Sequence, residues 1–181
     1  MRLFFAIDLP PNLIRELKPA VGRLRDLGRH VKPVKEHGLH ATMLFLGDQN
    51  EKCLHELSRI ASDAVMGARP CNLSLGPVGF FSRVSFLTLL GEIETLTMIS
   101  MMLKAGCINY LEKPDDRPFK GHITVARHKQ SIRHGEKEII RRTFSKFEGE
   151  KWVTDEMVLY QSELTPGGAI YTRVEGFSFG G

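Results

Sequence analysis

Apolar residues fall along this chain in two rhythms, and the switches between them mark its elements. Residues 2–9, RLFFAIDL, are a nearly unbroken apolar run stopped by Pro10 and Pro11, which predicts a buried strand. Leu13, Leu17, Val21 and Leu24 then recur every three or four residues, predicting a helix capped by Asn12 or a neighbour and closed near Gly28. Pro33 keeps residues 31–34 extended, a turn spans 35–38, and HATMLFLG at 40–47 reads as a strand. Over 51–68, Leu54, Leu57, Ile60, Ala61, Ala64 and Val65 share one helical face.

The second half repeats this order. Residues 71–81 and 84–93 read as strands meeting at Ser82 and Arg83, and 95–111 as a helix capped by Thr95. A polar linker, EKPDDRPFKG, leads into a strand in GHITVAR. A weaker helix follows over 136–147, and two last strands, 156–164 and 169–177, flank a turn at 165–168. Each half thus runs strand, helix, strand, helix, strand. One domain of residues 1–181, built from sequence repeats 1–78 and 79–181, is the expected organisation.

The strands that open on histidine also share chemistry. His40 and Thr42 stand two apart ahead of Met43, as His122 and Thr124 do ahead of Val125. In a strand such pairs point to one face, and two repeats packed about a pseudo-twofold axis would turn both pairs into one cleft. Two imidazoles and two hydroxyls suit phosphoryl chemistry without a metal. One neutral imidazole takes a proton from the attacking oxygen, the other gives one to the leaving oxygen, and the threonines hold non-bridging oxygens. An unperturbed histidine pKa of about 6.5 lets both forms coexist near neutrality. A cyclic phosphate is a natural substrate for such a pair, since its strained five-membered ring opens without a metal to activate water strongly.

Composition narrows the setting. With 181 residues, 42% hydrophobic and 25% charged, the chain is an ordinary globular one, and its mild net charge of +4 favours an anionic partner such as nucleic acid or a phosphorylated small molecule without demanding one. Three cysteines without CxxC spacing suggest neither a disulfide framework nor a zinc site. No cofactor or metal is expected. The five-residue apolar stretch before Asp8 is too short for a signal peptide and no segment reaches membrane-span length, so a cytoplasmic protein, monomeric and without a membrane partner, is expected.

MRLFFAIDLPP, LHATMLFLGD, GHITVARH and LYQSELTPGGAIYTRVEGF together resemble the 2H phosphoesterase superfamily, and within it the RNA 2′,3′-cyclic phosphodiesterases, also called 2′-5′ RNA ligases. The likeness covers nearly the whole chain, with Met43 and Val125 where the family's HxTL motifs have leucine. It implies an α+β bilobal fold with two antiparallel sheets flanked by helices around a central cleft. It implies catalytic His40 and His122, phosphate-binding Thr42 and Thr124, and a phosphate- or base-binding Arg127. The implied substrate is RNA or a nucleotide with a 2′,3′-cyclic phosphate end, opened to a 2′-phosphomonoester, with weak 2′-5′ ligation as the reverse step. His122 is favoured as base and His40 as acid. Strict alternation points Arg127 away from the His122 face, so its role requires a bulge or twist.

Phe45 is a candidate for stacking on a base, against the plainer reading of a core phenylalanine. His30, His37, His55, His128 and His134 read as surface residues, Tyr171 as a rim tyrosine, and the basic group Arg23, Arg25, Arg29, His30 and Lys32 as a solvated helix end. Arg117, Lys120 and Lys129 flank the second motif. Two rival functions remain open: a phosphodiesterase for a small cyclic nucleotide or cyclic ADP-ribose phosphate, and a nucleotide- or RNA-binding module without turnover.

Overall fold

The computed structural model describes residues 1–111, 117–166 and 168–180. Its elements are β1 (Arg2–Asp8), α1 (Pro11–Arg23), β2 (Val31–Pro33), β3 (His40–Asp48), α2 (Leu54–Val65), β4 (Cys71–Phe81), β5 (Val84–Gly91), α3 (Ile93–Gly106), β6 (His122–His128), α4 (His134–Phe144), β7 (Lys151–Thr154), β8 (Glu156–Thr165) and β9 (Gly168–Ser178). Part of the expected polar linker, 112–116, and Gly167 of the expected turn lie outside the described residues.

The helix boundaries depart from the sequence pattern for local reasons. Asn12 does not cap α1; the helix starts at Pro11, whose ring presets the helical φ and whose missing N–H would have had no intrahelical partner. Thr95 does not cap α3, which starts at Ile93. The preceding Glu92 instead turns its carboxylate to the Asn72 backbone N–H and side-chain amide, at 2.5 and 2.9 Å, tying the helix start to β4. Strand β7, only four residues long, carries too little alternation to be read in advance.

All strand pairings are antiparallel, in the order β7-β4-β5-β6-β3-β1-β8-β9, with β2 on β6 off this path. The two sheets implied by resemblance are therefore joined into one. Among the described residues β3 and β6 meet at a single register pair, Ala41 with Ile123. These are the middle residues of the two His-x-Thr motifs, so the seam between the halves runs through both. The halves also trade strands: β8 and β9, late in the chain, build outward from β1, while β2 pairs with β6. The boundary expected near residue 78 falls inside β4, so the sequence repeats are not the spatial halves.

One apolar core spans the seam. Phe5 and Ile7 of β1, Leu57 of α2, Leu96 and Leu103 of α3, Ile123 and Val125 of β6 and Phe144 of α4 are all buried within it. Each such side chain contributes roughly 1.5–3 kcal/mol of apolar burial.

Candidate active site

Ala41 and Ile123 are buried, so the side chains on either side of each, on the opposite strand face, turn away from the core. Extending their antiparallel register by one residue sets His40 beside Thr124 and Thr42 beside His122. All four line one open cleft of about 430 Å³.

A bulge then re-aims the residues beyond. In β3 the ladder to β1 pairs Thr42 with Ala6 and Leu44 with Phe5, skipping Met43; in β6 the ladder to β5 pairs Thr124 with Phe86 and Ala126 with Ser85, skipping Val125. The skipped residue is the third after the histidine both times. Each bulge leaves a carbonyl outside the ladder, and each finds a donor: Ser100 Oγ donates to Met43 O at 3.1 Å, and Val34 N to Val125 O at 3.0 Å. Both strands consequently show the same burial sequence over seven residues, and both expose the fifth residue after the histidine. Those residues are Phe45 and Arg127. Arg127 thus reaches the cleft face through the bulge that strict alternation demanded, and Phe45 is its counterpart in the other half.

The backbone orients both imidazoles. His40 Nδ1 lies 3.3 Å from His37 O, and His122 Nδ1 lies 2.7 Å from Lys120 O. A carbonyl only accepts, so Nδ1 carries the hydrogen in each ring and Nε2 is the nitrogen left for chemistry. Aromatic rings wall the two histidines. Phe4 stacks on His40 at 5.0 Å and Tyr171 meets its edge at 5.4 Å, while Phe81 and Phe86 meet His122 edge-on at 5.4 and 5.2 Å. Gly79 makes room for Phe86, since a Cβ there would stand 2.3 Å from Phe86 Cζ.

Burial pulls the His40 pKa down to about 4, against its Nδ1 hydrogen bond, and the positive charge of Arg127 pushes the same way. Asp8, the ladder partner of His40, accepts a 2.6 Å hydrogen bond from the Tyr160 hydroxyl. Burial raises the pKa of both Asp8 and Tyr160.

Lys32, Lys35, His37, Arg127, Thr165 and Tyr171 complete the cleft, and its described lining holds no carboxylate. An anion therefore meets cations on several sides and no fixed negative charge. His37 Nε2–H donates to Ala169 O at 2.8 Å, fastening the turn before β3 to β9. Among the described residues no three His, Cys, Asp or Glu side chains come together as a metal-ion site, and no helix is long and apolar enough to cross a membrane.

A second cavity of about 700 Å³ shares Thr42, His122 and Arg127 with the cleft and is lined beyond them by Phe45, Phe81, Lys104, Phe119 and Lys120. The sequence-predicted residues are thus divided: His40, Thr42, His122, Thr124 and Arg127 line the cleft, and Phe45 lines the second cavity. Phe45 is no core residue; the residue is 46% exposed, with the Arg2 guanidinium 4.8 Å from its ring centroid. Lys32, assigned to a helix end, and Lys35 are cleft residues that only the folded chain brings in. His128 corrects the surface reading: it is buried, its Nε2 2.7 Å from Ser85 Oγ. The bulge at Val125 turns it inward. His30, also taken as a surface residue, is half-buried and pairs with Glu136 at 3.0 Å.

The family model described as the 2′-5′ RNA ligase superfamily matches residues 10–166. A protein of Thermus thermophilus named RNA 2′,3′-cyclic phosphodiesterase is 32% identical, the match covering 100% of this chain and 91% of its own length. One of Archaeoglobus fulgidus with the same name is 31% identical over 98% of this chain and 99% of its own. Among solved structures, one from Thermus thermophilus matches with a TM-score of 0.80 at 31% identity, covering 99% of this chain and 98% of that one. Escherichia coli LigT complexed with 3′-AMP matches with a TM-score of 0.72 at 26% identity, covering 98% and 96%.

Proposed function

Because the chain belongs to the 2′-5′ RNA ligase superfamily, we propose that its cleft hydrolyses the terminal 2′,3′-cyclic phosphate of RNA to a 2′-phosphomonoester, using two histidines and no metal. The observation that carries this reading is the crossing of the two His-x-Thr motifs at Ala41 and Ile123, which gathers two imidazoles and two hydroxyls in one cationic cleft. The phosphate sits between Thr42 and Thr124, its non-bridging oxygens accepting from both hydroxyls, with Arg127 offering a planar fork to the same charge. His122 Nε2 takes a proton from water as the water attacks phosphorus. His40 Nε2–H gives its proton to the departing 3′ oxygen. The bond to the 2′ oxygen survives.

Before substrate binds, His40 is neutral at pH 7, because burial and the Arg127 charge hold its pKa down to about 4. It therefore takes up its proton together with the anionic substrate, whose charge offsets that of Arg127. The cleft opens into a second cavity, which favours an oligonucleotide over a small cyclic nucleotide as the substrate. Three unpaired cysteines, two of them buried, suit a reducing, cytoplasmic compartment.

Phosphorus NMR of an oligonucleotide with a 2′,3′-cyclic phosphate end, in excess chelator, tests the reading. Wild type converts it to a 2′-phosphate, while His40→Ala and His122→Ala each slow the conversion by roughly 10²–10⁴. A 3′-phosphate product, a requirement for metal, or an active His122→Ala variant would overturn it.

A further inference from the structure

The two motif strands share one burial sequence, but they do not fill it with the same chemistry. Immediately after the exposed residue of each strand comes a buried side chain: Leu46 in β3 and His128 in β6. The neighbouring strands differ in the same sense. Phe5 of β1 stands opposite Leu44, and Ser85 of β5 stands opposite Ala126, the equivalent place beyond the other bulge; both are fully buried. One half thus fills this corner with apolar side chains, and the other with a hydroxyl and an imidazole joined at 2.7 Å. Packing needs only the first kind, and burying polar groups in its place costs stability. The histidine and serine need another reason.

Register supplies it. Ser85 is the ladder partner of Ala126, and His128, two residues on, shares the face of Ala126 and lies within diagonal reach of Ser85. That reach exists only while the extra residue of β6 sits before Ala126. A bulge formed after Ala126 would set Val125 opposite Ser85 and return Arg127 to the core face. The ring has no other side-chain tie: its Nδ1 finds no hydrogen-bond partner among the described residues. Its backbone is held on both flanks, by His128 N donating to Arg83 O at 2.8 Å and by pairing with Val31 of β2. A directional bond in a low-dielectric interior selects one arrangement, whereas apolar packing tolerates small slides. Arg127, one residue before His128, depends on that selection. His122 and Thr124 lie before the bulge, laddered to Thr88 and Phe86, and do not.

Resting on the cyclic-phosphate reading above, we propose that Ser85 and His128 are a positioning pair for substrate capture, their buried bond holding the β6 bulge that aims the Arg127 guanidinium at the phosphate. Neither residue lines the cleft. Burial lowers the His128 pKa, with His30 acting the same way and Glu136 against it, so the ring is neutral at pH 7. The pair therefore brings no charge of its own to the phosphate and acts on it only through Arg127. Phosphate capture depends on the pair, and proton transfer at His122 does not.

Two variants test this. Ser85→Ala keeps the ring and removes its partner; Ser85→Ala combined with His128→Leu gives the corner the apolar filling that Leu46 provides in the other half, and so preserves packing where the single change leaves a buried ring unpartnered. With a cyclic-phosphate-ended oligonucleotide, KM should rise about fivefold, short of the roughly tenfold expected when the guanidinium fork itself is lost, while kcat stays within about twofold. Calorimetry with an unreactive deoxydinucleotide should show affinity weakened by the same factor. In an Arg127→Ala background the same replacements should change KM and affinity by less than about 1.5-fold, because the residue they act through is gone. A merely structural loss would lower the active fraction, and with it kcat, and leave KM unmoved. A wild-type KM in the double variant, or an undiminished rise in the Arg127→Ala background, would overturn the positioning pair and leave the hydrolase reading standing. Absence of hydrolysis in wild type would overturn the hydrolase reading, while dinucleotide binding would still decide whether the pair aims Arg127.

Discussion

Occupancy of the cleft by a phosphodiester anion should raise the pKa of His40 by about three units, from a starting value of about 4. His40 has to be protonated near pH 7 to act as the acid, and a shift of that size requires about 4 kcal/mol, at 1.36 kcal/mol per unit. One negative charge about 4 Å from the imidazolium, at an effective dielectric constant near 20, supplies about 4 kcal/mol. The substrate's charge is thus sufficient, and little is left over. Since the complex binds one proton more than its separated parts, affinity must fall as pH rises, by up to about tenfold per unit between the free and bound pKa values. A deoxydinucleotide serves as ligand, because its single phosphodiester charge does not titrate and it lacks the 2′-hydroxyl needed to react. Calorimetry with the His122→Gln variant, in buffers of different ionisation enthalpy from about pH 5 to pH 7, should register uptake of close to one proton near about pH 5.5, declining to about one half at pH 7; NMR of the His40 ring should follow the same shift. A flat affinity profile and an unmoved His40 resonance would refute the assignment. The roles would then reverse, with His40 as base and His122 as acid.

Other contacts carry predictions of their own. Since His40 is buried with a lowered pKa, the unfolded chain binds the extra proton between about pH 6.5 and 4, and stability falls across that window as pH drops, by about 3 kcal/mol; His40→Gln should flatten the urea-midpoint profile measured from pH 7 to pH 4.5. His128, also buried and lowered, contributes in the same direction, so a profile that His40→Gln leaves unchanged would assign the acid sensitivity elsewhere. Gly79→Ala would drive a methyl into Phe86 and tilt the ring against His122, so kcat should fall at least about tenfold while the overpacking costs about 1–3 kcal/mol in stability; a variant with unchanged kcat would show that Phe86 does not position His122. Arg127→Lys keeps the charge and loses the planar fork, so KM for the cyclic end should rise roughly tenfold with a smaller change in kcat, and equal KM values would exclude bidentate binding.

Much of the fold was legible because it is written in periodicity. The long apolar runs of β1 and β3 and the helical spacing of Leu13, Leu17 and Val21 are local signals that need no partner to be read. The doubled His-x-Thr was legible for the same reason, since a two-residue spacing in a strand fixes a shared face. Helix starts were read less well: Asn12 and Thr95 are good caps by residue type, but the Pro11 ring and the tie between Glu92 and Asn72 decide where α1 and α3 begin.

What lies beyond local spacing was decided by pairing between distant strands. No pattern in HATMLFLG or HITVARH announces that Met43 and Val125 drop out of their ladders, because a bulge depends on the partner strand's count of residues as much as on its own. Yet those two bulges bring Phe45 and Arg127 to the working face and turn His128 inward. Lys32, Lys35 and Tyr171 join the cleft only through the crossing of β2 onto β6 and of β9 alongside β8. Local spacing alone sets two histidines and two threonines on strands, each pair sharing one face. Tertiary structure alone decided that the motifs cross at Ala41 and Ile123, because register between strands far apart in the chain is set by the packing of the whole core.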